Sequence, residues 1–123
     1  MTVSKPADIH SAVEQAFNAG DLDRLIRLYE KDARMVTPNG SVVEGVDAIR
    51  EQWQGFLAMN GQMTLKTRFA VEMDDVALIR TDWSFASADA QLASSSAEVV
   101  RRQSDGTWLY VIDHPFGSSD MIP

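Results

Sequence analysis

"FNAGDLDRLIRLYEKDARMVTPNG", residues 17–40, changes its hydrophobic period part-way along. Leu22, Leu25, Ile26 and Tyr29 repeat at helical spacing, after Gly20 as a stop signal and Asp21 as an N-cap. "ARMVTPNGSVVEG", residues 33–45, then reads as a short strand, a Pro-Asn-Gly turn and another short strand, closed by Gly45. Upstream, Ile9, Ala12, Val13, Ala16 and Phe17 form the apolar stripe of a first helix, with Pro6 suited to its early turn. Downstream, a third helix is expected from about Asp47, with Ile49, Trp53, Phe56 and Leu57 inside and Asn60 and Gly61 at its end.

From Met63 onward the spacing is mostly two. Thr67, Phe69, Val71 and Met73 alternate with Arg68, Ala70 and Glu72. Asp74 and Asp75 turn the chain, and Ile79, Thr81, Trp83 and Phe85 alternate with Leu78, Arg80, Asp82 and Ser84. The polar stretch "ASADAQLASSS", residues 86–96, is read as preceding the next strand, and residues 104–106 turn into the last one. Helices followed by a run of strands predict an α+β fold, with the helices on one face of a curved sheet.

The chain has 123 residues, 45% hydrophobic and 24% charged, which suits one domain over residues 1–123 with a real core. A formal net charge of −7 argues against nucleic acid and anionic membrane as partners, since both need clustered Lys and Arg. There is no cysteine, hence no disulfide, thiolate nucleophile or Cys-based metal site. The N-terminal stretch lacks the apolar core of a signal peptide, and a cytoplasmic protein is expected. Two distant histidines give no metal-ligand spacing, and no Gly-rich phosphate loop or nucleophile elbow appears, so neither metal nor cofactor is expected.

Residues 17–40, followed by "GVDAIREQW" (residues 45–53) and "DGTWLYVIDHPFG" (residues 105–117), resemble the ketosteroid isomerase and nuclear-transport-factor-2-like superfamily, in particular its SnoaL-like branches. The resemblance implies a cone-shaped α+β barrel around an apolar pocket, and a homodimer joined through the outer face of the sheet. It does not imply one reaction, because the superfamily hosts isomerases, dehydratases, epoxide hydrolases, cyclases and binding modules. Where the steroid isomerases carry a tyrosine on the first helix, this chain has Val13. Where they carry the proton-shuttling aspartate, it has Thr37. The family's protonated pocket acid aligns with Glu98, counted back from the "DGTW" turn. Steroid isomerisation by that mechanism is therefore not expected.

Strand alternation puts Glu98 on one face with Val100 and Arg102, so Glu98 is the central candidate acid or base. The competing expectation is a structural ion pair with Arg102, Arg68 or Arg80. Asp113 and His114 are the other catalytic candidates. On a regular strand only one of them enters the pocket. Register with Trp108, Tyr110 and Ile112 selects His114, whereas a bulge would select Asp113. Phe17, Thr37, Trp53, Phe56, Trp83, Phe85 and Tyr110 are expected to contact a ligand, with Met35, Met59 and Met63 as pliable lining. Arg80, Asp82 and Arg101 face outward, where the resemblance would use them in a dimer contact. The expected ligand is a small apolar or amphipathic molecule. Acid–base chemistry on it (isomerisation, dehydration or cyclisation), passive binding, and a dimeric interaction module all remain open at this point.

Overall fold

A computed structural model describes residues 2–117. In chain order a 3-10 turn, Pro6–Asp8, leads into α1 (Ile9–Asn18) and α2 (Leu22–Ile26). These are followed by β1 (Tyr29–Val36), β2 (Val42–Glu44) and α3 (Val46–Leu57), and then by β3 (Gln62–Met73), β4 (Val76–Ala86), β5 (Gln91–Arg102) and β6 (Trp108–His114). The strands form one curved, unclosed sheet in the order β2-β1-β6-β5-β4-β3. All neighbours are antiparallel except β1 and β6, which run parallel, so the sheet is mixed.

The helices lie on the inner face. The α1 stripe of Ile9, Ala12, Val13, Ala16 and Phe17 is buried, as are Ile49 and Trp53 of α3. Burying Ile9, Val13, Phe17 or Ile49 contributes about 1.5–3 kcal/mol each. Phe17 knits the layers together, its ring centroid 5.7 Å from Trp53 and 6.1 Å from Phe85. Gly20 ends α1 at φ 69°, a left-handed conformation that costs glycine little, and the Asp21 carboxylate accepts from the Arg24 N–H at 3.1 Å to start α2.

Three local expectations change. The second helix stops at Ile26, and Tyr29 opens β1 instead of extending the helical stripe. Parallel pairing with β6 decides this: Tyr29 is the register partner of Tyr110, whose N–H donates to the Leu28 carbonyl at 2.8 Å. The polar stretch before β5 is largely strand. Only residues 87–90 turn, and the residues after them pair with β4, Trp83 lying against the small Ser94 and Phe85 against Leu92. In β3 a bulge between Thr67 and Phe69 switches faces, so Phe69, Val71 and Met73 are exposed on the outer side. None of the helices described is long and apolar enough to cross a membrane.

Candidate functional site

A cavity of about 210 Å³ lies between the inner face of the sheet and the helices. Helix α1 gives it Val13, and α3 gives Gln52, Trp53, Gly55 and Phe56. From β1 come Tyr29, Met35 and Val36, with Thr37 and Pro38 just beyond. Met59 precedes β3, which adds Met63 and Leu65. Trp83, Ser96, Glu98, Tyr110 and Asp113 come from β4 to β6, and Pro115 and Phe116 complete the wall. Hydrocarbon and aromatic side chains make up most of this lining, and no Lys or Arg is among it.

Two carboxyl groups stand in that setting. Glu98 and Asp113 are direct register partners across β5 and β6, so they share one face, and they are 4% and 5% exposed. The register expected of β6 does not hold. Val99 pairs with Ile112 but Val100 pairs with Tyr110, so Val111 is an extra residue that bulges the strand. Beyond this bulge the faces exchange: Asp113 turns inward, Ile112 is exposed, and His114 goes to the outer face, outside the cavity lining. Of the two candidates left open, Asp113 enters the cavity wall and His114 does not, with a backbone insertion as the cause.

Asp113 is held by a relay of donors. The Tyr29 hydroxyl donates to Asp113 Oδ2 at 2.5 Å, and the Trp53 indole N–H donates to the Tyr29 oxygen at 3.0 Å. Burial, then the nearby Glu98 charge, pushes the Asp113 carboxyl up to about 8, against the opposing effect of the Tyr29 hydrogen bond. Burial thus favours the neutral form of Asp113. Burial, aided by the same carboxylates, also raises the Tyr29 and Tyr110 phenols well above their usual value, so both stay protonated.

Glu98 has a different neighbour from the arginines considered for it. Among the described residues, Arg102 pairs with Asp75 and Arg68 with Asp82, while Arg80 faces outward. The partner is His10 of α1, whose Nε2 lies 3.2 Å from Glu98 Oε1. That contact is within ion-pair distance but off the hydrogen-bond axis, and among the described residues Oε1 has no hydrogen-bond partner. Of the residues expected to contact a ligand, Thr37, Trp53, Phe56, Trp83 and Tyr110 line the cavity. Phe17 and Phe85 do not. They are buried behind it, where α1 packs on the sheet.

A family model for the SnoaL-like domain matches residues 10–111. The chain belongs to the SnoaL-like family. No curated protein matches it. Among solved structures, the fold is shared with a proposed calcium/calmodulin-dependent protein kinase type II association domain from Thiobacillus denitrificans, at a TM-score of 0.78 and 21% identity, covering 93% of this chain and 95% of that one. An NTF-2 like protein of unknown function from Shewanella oneidensis is similar at 0.77 and 18%, covering 87% and 92%. A proposed dehydratase of the NTF2-like family from Streptomyces avermitilis is similar at 0.68 and 15%, covering 85% and 88%. At these identities the likeness is one of fold.

Two polar residues of this SnoaL-like domain escape a reading of its sequence. Tyr29 is absorbed there into a helical stripe, since its spacing from Leu25 and Ile26 fits one. His10 lies three residues before Val13 and seven before Phe17, a spacing that would have put it beside the buried stripe of α1. Among the described residues, no group of three or more His, Asp or Glu side chains is placed to share a metal ion.

Proposed function

We propose that this SnoaL-like domain binds a small, mostly apolar, oxygen-bearing molecule in the cavity and performs acid–base chemistry on it without a cofactor. The observation that carries the proposal is the buried pair of Asp113 and Glu98, adjacent across two strands and both in the cavity wall. Two carboxyl groups side by side on one cavity wall can share the work of an acid and a base. Asp113 donates to a ligand oxygen while Tyr29 and Trp53 hold it in place, and Glu98 takes a proton from an adjacent carbon. With a ketone the product is an enol, and reversal returns both protons. With an alcohol the Asp113 proton leaves with the hydroxyl as water, a double bond forms, and the proton on Glu98 restores Asp113. Size supports a ligand of one or two rings, since an apolar cavity of about 150 Å³ takes up benzene. Val13 and Thr37 both line the cavity and supply neither the phenol nor the carboxylate of a steroid isomerase, so steroid isomerisation is not the reaction proposed.

The second element proposed is a homodimer through the outer face. Val71, Leu78, Val99 and Ile112 are successive register partners across β3 to β6, and so form one apolar row. Three of them are 44–58% exposed. A second copy presenting the same row would cover it, as isologous dimers do.

The test of the chemistry is hydrogen–deuterium exchange at the α-carbons of cyclohexanone in D2O, followed by proton NMR together with the indole N–H signals of Trp53 and Trp83. Saturable exchange above the buffer rate is expected, falling by about 10²-fold or more in Asp113→Asn and in Glu98→Gln. Indole shifts without exchange would overturn the acid–base step and leave a binding module. Neither signal would overturn the whole reading.

A further inference from the structure

His10 has no part in the step just described, yet it is 1% exposed and lies directly against the Glu98 carboxylate. It sits over a row of inward hydroxyls, Thr67, Thr81 and Ser96, which are successive register partners one row from Glu98. His10 Nδ1 is 2.9 Å from Thr67 Oγ1, and the Thr67 hydroxyl donates its hydrogen to the Ala7 carbonyl at 3.3 Å. With the Thr67 hydrogen given to Ala7, Thr67 Oγ1 is free to accept from Nδ1–H. Thr81 Oγ1 lies against both ring nitrogens, in contact with Nδ1 and 2.6 Å from Nε2, and Nε2 is 3.2 Å from Glu98 Oε1. A hydrogen on Nε2 would point to the Thr81 oxygen while the ring's positive charge lies against the Glu98 carboxylate, an arrangement that suits both neighbours.

We propose that His10 carries a proton on Nε2 and stands as a cation at ion-pair distance from Glu98 Oε1. His10 thereby keeps Glu98 charged and turned toward the cavity as its base, leaving Asp113 as the acid. The inference rests on the acid–base reading above and adds to it a positioning residue from α1. An isolated buried carboxylate would be driven to its neutral form, while an adjacent imidazolium favours the charged one. During the step Glu98 accepts the carbon-bound proton on its other oxygen and later returns it, so His10 keeps its own proton through the cycle. The groups facing His10 are few. Glu98 comes from β5, the Tyr110 ring from β6 at a centroid distance of 6.2 Å, and the Thr67 and Thr81 hydroxyls from β3 and β4. Glu14 of its own helix is turned away to accept from the Leu65 N–H at 2.8 Å.

The experiment is NMR on the whole chain, reading the His10 ring nitrogens and the Glu98 carboxyl carbon across pH. In the wild type, Nε2 is expected to be protonated and Glu98 ionised at pH 7, while Glu98→Gln lowers the Nε2 titration midpoint by more than one unit. Cyclohexanone exchange supplies the functional arm. His10→Gln is expected to keep the indole shifts on cyclohexanone addition but to move the exchange profile about one unit toward higher pH, a roughly tenfold loss near neutrality. An unprotonated Nε2 at pH 7, or a midpoint indifferent to Glu98→Gln, would overturn the proposal even with wild-type exchange intact. Absent exchange with the coupled titration present would instead overturn the catalytic reading alone. If His10→Gln does not fold, the Glu98→Gln titration decides by itself.

Discussion

Asp113→Asn isolates the energetic consequence of burying a carboxyl group beside Glu98. Asparagine keeps the shape and an oxygen for the Tyr29 hydroxyl, which donates at 2.5 Å, but it cannot ionise. In the folded chain Asp113 holds its proton to about 8, whereas in the unfolded chain it releases it near 3.8. Between those values the unfolded state binds fewer protons than the folded one. Stability therefore falls as pH rises, by ~1.4 kcal/mol per unit. The contribution is whole below the unfolded value and lost above the folded one. A gap of about four units sets a ceiling of about 6 kcal/mol, and the realised effect is smaller because the proton belongs to the Asp113–Glu98 pair. That ceiling is comparable to the entire stability of a small domain, about 5–15 kcal/mol. Urea unfolding followed by tryptophan fluorescence, at one protein concentration, should show the wild type losing about 2–4 kcal/mol relative to Asp113→Asn between pH 5 and 8. Taking the difference between the two proteins cancels the remaining carboxylates. A difference that stays constant with pH, or that moves in favour of the wild type, would refute a protonated Asp113.

Tyr29→Phe removes the hydroxyl that joins Trp53 to Asp113 and leaves the buried indole N–H and Oδ2 without it, so a loss of about 1–3 kcal/mol is expected by urea unfolding. The Tyr29 hydrogen bond lowers the Asp113 proton affinity, so carboxyl NMR on the same variant should show Asp113 titrating above its wild-type midpoint. Leu78→Glu puts a charge in the middle of the outer apolar row. Light scattering at micromolar concentration should find a dimer in the wild type and a monomer in the variant, and a wild-type monomer would remove the proposed interface.

Period alone determines much of this protein. Residues 9–17 and 46–57 carry helical stripes, residues 76–86 and the β5 segment alternate, and the turns at Gly20, Asn60 and Gly106 have backbone demands that their residue types announce. Alternation was enough to face Glu98 inward, because β5 is regular from Val99 back through the residues that pair with β4. The composition of the cavity wall was legible for the same reason, large apolar residues being the ones a sheet and its helices enclose. Asp113 and His114 were not separable in this way. One inserted residue, Val111, exchanges their faces, and nothing in "WLYVIDH" marks it, since a bulge is fixed by the hydrogen bonds of the partner strand. Tyr29 looked helical because four-residue spacing fits a helix, while its real place depends on β6, some eighty residues further along. His10 meets Glu98 only when α1 crosses the inner face of the sheet. The site is assembled from such long-range contacts, whereas the local energies that shape a helix or a turn act over a few residues, and so the sequence specifies the elements while tertiary packing decides which polar side chains meet inside them.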